Sequence, residues 1–235
     1  MANTLFLRLE GPIQSWGERG RWSVRDTAPE PTKSGVIGLL GCASGIHSDS
    51  ELRALSRALR MGVRCDRPGS HLIDYHTVGG GYGHPVLLNA QGKPKISSGG
   101  PHTEQTWRHY LTDASFLVAL QGKPDLISRL VDAVQDPRWL IYLGRKSCPP
   151  SRPLFDGVGE YSDLETALAE WQGLPSLSSS GTTRVRAVIE CTASRGVLRR
   201  DEILSRARRT FAPRYTYERS LTLSVPQEEP CTFPD

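Results

Sequence analysis

A chain of 235 residues with 29 Lys and Arg against 25 Asp and Glu, formally +4, is long enough to bury a large core and only mildly basic. It therefore reads as one large domain or a domain with a smaller appendage. No run of about 18 apolar residues is present and residues 1–9 hold neither a basic leader nor a cleavable apolar segment, which argues against a membrane helix and for a soluble, cytoplasmic chain. Cys42, Cys65, Cys148, Cys191 and Cys231 are odd in number and form no CxxC pair. Neither a disulfide framework nor a zinc knuckle is supported, and the thiols are expected to be reduced and mostly buried.

Leu5, Leu7 and Leu9 alternate with Phe6 and Arg8, which predicts an N-terminal strand leading into a loop over 11–21. PTKSGVIGLLG then predicts a helix capped by Thr32 or Ser34, with Val36, Ile37, Leu39 and Leu40 as its apolar stripe and glycines that favour close packing on a sheet. A second helix opens with the capping box Ser48 and Glu51, turning Leu52, Leu55 and Leu59 inward and Arg53, Arg57 and Arg60 outward. Strands follow over 62–65 and 72–78. Residues 79–105 are rich in Gly, Pro and His, as expected of a long flexible hairpin that projects from the body.

TWRHYL predicts a strand, and SFLVAL a central one because its apolar run is continuous. A helix opens at Pro124, buries Leu126, Ile127, Leu130, Val131 and Val134, and stops before Pro137. A strand over 139–143 is expected to close the unit. Strand, helix, strand, then strand, helix, strand is the order of an α+β, ferredoxin-like split βαβ fold over 1–155, with the hairpin inserted in it. Residues 156–235 predict a short helix capped by Ser162 with Glu165 and carrying Leu164, Leu168 and Trp171. A Ser- and Gly-rich linker over 173–183 and a small C-terminal antiparallel sheet, built from RVRAVIE and YTYERSLTLSV, complete the chain.

Several loops carry candidate chemistry. In WLIYLGRKSCPPSRP, Gly144 turns the chain, Pro149 and Pro150 stiffen its exit, and Arg145, Lys146 and Ser147 sit between them. Two adjacent cations on a rigid loop suit phosphate; the alternative is a solvated turn. GPIQSWGERG lacks GxGxxG spacing and PTKSG lacks the glycines of GxxxxGK[ST], so neither a dinucleotide nor a triphosphate site is expected. The helix start with Thr32, Lys33 and Ser34 still suits one phosphate of a polymer, unless it is simply an ordinary capped helix.

In DYHTV, His76 is a candidate general base beside Tyr75, but alternation sends the two to opposite faces of the strand. No HxxxH or carboxylate cluster suggests a metal. TWRHYL places Trp107, His109 and Leu111 on one face, with Trp107 read as core, and Arg108 and Tyr110 on the other as the better nucleic-acid contacts. Residues 184–219 hold ten arginines against Glu190, Asp201, Glu202 and Glu218. That balance invites a polyanion, the alternative being a solvated basic face.

In order and spacing, GPIQSWG, PTKSGVIGLLG, GVRCD, DYHTV, TWRHYLTDASFLVAL and YLGRKSCPPSRPLF resemble the CasD family, a subunit of the type I-E CRISPR Cascade surveillance complex in the RAMP superfamily. The likeness is dense from Leu5 to about Phe155 and thin after Ser162, where it is limited to a FAPRY-like element over 211–215. It implies a ferredoxin-like, RRM-related body with a thumb at 79–105 and a small C-terminal sheet. By the same resemblance the chain is a non-catalytic protein without cofactor or metal, capping the 5′ handle of the CRISPR RNA between the backbone subunit CasC and the large subunit CasA. It meets target DNA only indirectly, and guide processing falls to CasE.

Carried onto the matching motifs, the resemblance implies a handle lined by Gln14, Ser15 and Trp16 with Lys33 and Ser34. It further implies phosphate held by Arg145, Lys146 and Ser147, and Tyr75, His76 and Arg108 near the base of the thumb. Two alternatives stay open: a metal-independent endoribonuclease using His76, Tyr75 and Lys93 or Lys95, and a protein-only assembly adaptor.

Overall fold

Strand β1 (Thr4–Glu10) is buried along its first six residues, so it is covered on both faces. The computed structural model describes residues 1–18, 20, 23–80, 86–172 and 182–224. Leu5, Leu7 and Leu9 share a core with α1 (Lys33–Ser44), α2 (Asp49–Ala58) and α3 (Pro124–Gln135). Phe6, on the opposite face, packs with α4 (Leu164–Glu170) and stacks on Trp171 with ring centroids 4.0 Å apart.

Beside β1 lie β4 (Arg60–Arg67), β9 (Ser115–Gln121) and β10 (Phe155–Gly159), in the order β10-β1-β9-β4 and antiparallel throughout. The same sheet continues through β11 (Thr182–Cys191) and β13 (Thr210–Ser224) to β12 (Val197–Ser205). The C-terminal strands therefore do not form the separate small sheet expected from the sequence. β11 adds to the free edge of β4, pairing from Arg186↔Cys65 to Ile189↔Gly62, and the result is one seven-stranded sheet in a mixed α+β fold.

Two further expectations are corrected. Residues 139–143 make no strand: Leu140 is 89% exposed, and the backbone N–H of Leu143 donates to Cys148 O at 2.7 Å within the loop. β10 takes the place beside β1 that the sequence suggests for this stretch. Helix α4 is capped by Asp163, not Ser162. Thr166 N donates to Asp163 Oδ1 at 2.9 Å and the Ser162 hydroxyl donates to Oδ2, so the serine supports the cap instead of making it.

The hairpin pairs β5 (Ser70–Gly79) with β8 (Thr103–Thr112) from Ser70↔Thr112 to Gly79↔Thr103. It leaves the body earlier than expected, at Ser70. Between its strands lie β6 (Ile96–Ser97) and β7 (Gly100–Pro101); the glycine run at 81–85 and the linker over 173–181 lie outside the described residues. β2 (Ile13–Gln14) and β3 (Val24–Arg25) pair with the body end of β8, one antiparallel and one parallel, which ties the 11–26 loop to the hairpin base.

Two charge networks run through this frame. Arg64 donates to Asp66 and to the carbonyls of Leu168 and Trp171 at the end of α4, at 2.6 and 2.7 Å, while Arg8 meets Asp66 and Asp156. The second network joins α1 to the C-terminal strands. Glu30 meets Arg186 and Arg199, Lys33 meets Glu190, and Arg214 meets Asp201. Buried ions persist only when partnered in this way. Of the thiols, Cys65 and Cys148 are buried and Cys42 and Cys191 half-buried, all four free; burial pushes the Cys65 thiol up to about 12. Cys231 lies outside the described residues.

Candidate nucleic-acid interface

The loop that follows β1 turns its polar side chains inward. Gln14 Nε2 donates to Leu9 O and Ala114 O at 3.0 and 2.8 Å, and its Oε1 accepts from the Trp16 indole at 3.1 Å. The Ser15 hydroxyl donates to His109 O at 3.0 Å. Trp16 is buried against the start of α1, where a Cβ on Gly35 would lie 2.8 Å from the ring. Gln14, Ser15 and Trp16 thus fasten the main sheet, the hairpin and α1 together, and their side chains are not presented to a ligand.

The start of α1 is likewise filled from within. Lys33 is buried with Nζ 3.0 Å from both oxygens of Glu190, and its backbone N–H donates to Asp201 Oδ2 at 2.9 Å. Gly35 N–H is taken by the cap, Thr32 Oγ1. An internal carboxylate therefore occupies the place that the sequence suggests for a phosphate. Burial pushes the Asp201 carboxyl upward, but the Arg214 guanidinium and the Lys33 N–H outweigh it and hold the group below the usual aspartate range. Ser34 is half-buried and opens on a separate cleft of about 310 Å³ with Trp139, Tyr142 and Gly144.

The loop at Gly144 is built differently. Gly144 has φ +89, and a Cβ there would fall 1.7 Å from Ser15 O, so only glycine lets the loop dock on the strand below. Ser15 N–H donates to Leu143 O at 3.1 Å and completes the joint. Arg145 lies over the Tyr110 ring, 4.7 Å from its centroid, and donates to Arg25 O and Asp26 O at 2.9 and 3.3 Å. Ser147 is exposed with Oγ 3.4 Å from the Tyr110 hydroxyl, and Lys146 is exposed with no ion pair among the described residues.

Arg108 sits in register with both Arg25 and Asp74. Its Nε and the Nη1 of Arg145 make no hydrogen bond although both are shielded from solvent. Two guanidiniums beside the same short strand thus each keep an unmatched donor. The structure brings Arg108, Arg145 and Ser147 together around Tyr110, with Lys146 alongside.

The profile of the family described as CRISPR-associated protein (Cas_Cas5) matches residues 4–217. The chain belongs to the Cas5 family. It is 42% identical over 185 residues to the CRISPR system Cascade subunit CasD of Escherichia coli (strain K12), covering 73% of this chain and 78% of that protein. Among solved structures, a chain of a CRISPR RNA-guided surveillance complex superposes with a TM-score of 0.77 at 30% identity, covering 94% of this chain and 91% of its own. The crystal structure of a Cas protein superposes with a TM-score of 0.64 at 35% identity, and 96% of each chain is covered.

On the hairpin of this Cas5-family chain Trp107 and Tyr110 exchange the places expected for them from the sequence. Tyr75 and Trp107 stand opposite each other, 52% and 38% exposed, with ring centroids 5.6 Å apart. Exposed Ile73 and the His71–His109 pair, whose ring nitrogens are 3.0 Å apart, extend this face. Tyr110, expected as a contact, is buried under Arg145, whereas Trp107, expected as core, looks outward. Alternation separates the two faces of a strand but does not say which one the body covers.

His76 lies on the face away from Tyr75 and contacts the Asp74 carboxylate. Lys95 is 2.8 Å from Glu104, which is also 3.0 Å from His102; hydrogen bonds from Lys95 and then His102 lower the Glu104 pKa. The structure does not bring His76, Tyr75 and Lys95 to one point. Among the described residues no group of three His, Cys, Asp or Glu is placed to hold a metal ion, and no described helix is long and apolar enough to cross a membrane.

Proposed function

We propose that this chain is the non-catalytic CasD-type subunit of a CRISPR RNA-guided surveillance complex, Cascade, and that it binds and caps the 5′ handle of the CRISPR RNA. In this reading it joins the backbone subunit CasC to the large subunit CasA in the cytoplasm and uses no cofactor. Its body, expected over 1–155 and here extended to the end of β10 at Gly159, is a ferredoxin-like RAMP domain whose hairpin is the thumb, and the residues that follow extend it. The strand order β10-β1-β9-β4, which is fourth, first, third, second along the chain, supports that assignment.

The observation that carries the function is the cluster of half-buried Arg108 and Arg145 with exposed Lys146 and Ser147 at the hairpin base, where Arg145 lies over Tyr110. A phosphodiester supplies acceptors for the cationic and hydroxyl donors that this cluster presents. Of the residues implied by resemblance, Arg108, Arg145, Lys146 and Ser147 would meet phosphate and Tyr75 a base. Gln14, Ser15, Trp16 and Lys33 would act by holding those elements in place. Ser34 and His76 would lie at the margin of the site.

Titrating labelled handle RNA into the full chain over a range of salt tests this. The double substitution Arg145→Ala/Lys146→Ala is expected to lower affinity on the order of tenfold or more and to flatten the plot of log K against log salt by about 1.4, since each contact to a single strand contributes ~0.7. An unchanged affinity and slope would sink the proposal. Specific cleavage of a repeat hairpin in EDTA, lost on His76→Ala, would replace it with the endoribonuclease reading. Absence of any salt-sensitive affinity would replace it with the protein-only adaptor.

A further inference from the structure

Handle binding at the hairpin base leaves the basic stretch over 184–219 unexplained. Its ten arginines fall into two groups. Arg186, Arg199, Arg206, Arg214 and Arg219 are ion-paired with Glu30 and Glu218, Glu30, Asp49, Asp201 and Glu165 respectively. Arg184, Arg195, Arg200, Arg208 and Arg209 form no ion pair among the described residues.

Arg200 and Arg209 from the second group line one cleft of about 680 Å³ on β12 and the start of β13, the last two strands of the sheet. Their neighbours there include Val197 and Leu198, 75% and 46% exposed, and the half-buried ring of Phe211. The strand register explains the sorting. Pairing of β12 on β13 shifts between Arg199 and Glu202, and within that irregularity Asp201 turns inward to Arg214 while Arg200 is exposed.

The turn that carries Arg209 is anchored as well. Arg209 has φ +50 and its N–H donates to Arg206 O at 3.3 Å, while Arg206 is bound to Asp49 and to the His47 carbonyl. Only Glu18 brings a carboxylate to the described lining. Spaced guanidiniums with open aliphatic and aromatic surface between them match a strand whose phosphates alternate with flat bases. An acidic protein segment would satisfy the charges but give Phe211 and Leu198 no planar partner.

We propose that this cleft is a second seat for single-stranded nucleic acid, separate from the handle site and independent of the handle reading. The two sites flank the 11–26 loop, whose Asp26 carboxylate accepts from Glu18 N–H while its carbonyl accepts from Arg145. Its partner is recognised by phosphodiester charge and base stacking, not by sequence.

The test uses the full chain with labelled U12 and dT12, neither of which contains a handle. Arg200→Gln/Arg209→Gln is expected to weaken both probes on the order of tenfold and to flatten the salt dependence by about 1.4. Lys123→Ala, which removes an exposed cation outside both sites, is expected to spare both. Both arginines are exposed and form no ion pair among the described residues, so the thermal melt of the double variant should match that of the parent. Tighter binding of U12 than dT12 identifies an RNA strand as the source and the reverse a DNA strand, each in support. Unchanged affinity and slope in the double variant overturn the proposal. So does displacement of U12 from the parent, but not from the variant, by equimolar oligoglutamate, which would assign the cleft to an acidic protein. Because U12 and dT12 lack the handle, failure of the handle experiment leaves this result standing.

Discussion

Two Lys-Ser pairs, Lys33-Ser34 and Lys146-Ser147, look alike in the sequence, each a cation and a hydroxyl next to a turn. In the folded chain Lys33 is sealed against Glu190, 157 residues away, and contributes to the joint between α1 and β11. Lys146 stands exposed beside two half-buried arginines that each keep one donor unmatched. The difference lies in whether a distant strand brings a carboxylate to the cation. A motif therefore states what a residue can do, while the sheet decides whether that capacity serves folding or binding.

The most severe way to break the buried side of this contrast is Asp201→Ala. It leaves Arg214 without its closest acid and the start of α1 without an acceptor, so a loss of about 3–5 kcal/mol is expected. Thermal melts should show a drop on the order of 10 °C. The same carboxylate gives a pH signature. Its pKa is lowered in the folded state, so its contribution is complete above the ordinary aspartate range and is lost as pH falls through the lowered value. Asp201→Asn should remove that acid limb from a plot of stability against pH, and an unchanged limb would show that other groups carry it.

Next in size is Gly144→Ala, which attacks the exposed side through its foundation. The added methyl meets Ser15 O at a distance no contact allows, in a backbone region that alone disfavours alanine by about 1–2 kcal/mol. The loop must lift from the strand. Stability is expected to fall by about 2–3 kcal/mol, and handle affinity with it, since Arg145 loses its place over Tyr110. Normal handle affinity in a folded Gly144→Ala chain would show that the loop's seat on Ser15 does not matter for binding.

How much of this was legible depended on whether the signal was local. The continuous apolar run of β9, the capping box in which Ser48 Oγ accepts from Glu51 N–H at 3.2 Å, and proline at the start of α3 are all written in neighbouring residues. Strand β10 was not legible, because FDGVG has two glycines and no apolar alternation, while the apolar 139–143 imitated a strand it does not form. At the candidate site the turn at Gly144 could be read from its residues. The inward fate of Lys33, Gln14 and Trp16 could not, since their partners come from β11, the turn before β9 and α1. Nor could the sequence show which face of β8 the body covers.

That last point leads to a smaller effect. Tyr75 and Trp107 lie on the open face of the hairpin, so Tyr75→Ala and Trp107→Ala should change folding by well under the cost of a core aromatic, about 3–5 kcal/mol. If a splayed base stacks there, handle affinity should fall by about 1–3 kcal/mol for each base lost. A large drop in thermal stability without loss of RNA affinity would instead make the pair a hidden packing element.

The smallest expected change in stability is also the sharpest test of the opening contrast. Lys146→Ala removes an exposed ammonium with no ion pair among the described residues, so unfolding free energy should stay within about 0.5 kcal/mol of the parent. The salt dependence of handle binding should nevertheless flatten by ~0.7, the signature of one lost contact to a single strand. Lys33→Ala should do the opposite, lowering the melting temperature because Glu190 loses its nearest cation, while leaving the slope of the folded protein untouched. If the two substitutions gave the same pair of changes, burial would not be what separates them, and the cations of both motifs would have to be assigned a common ligand.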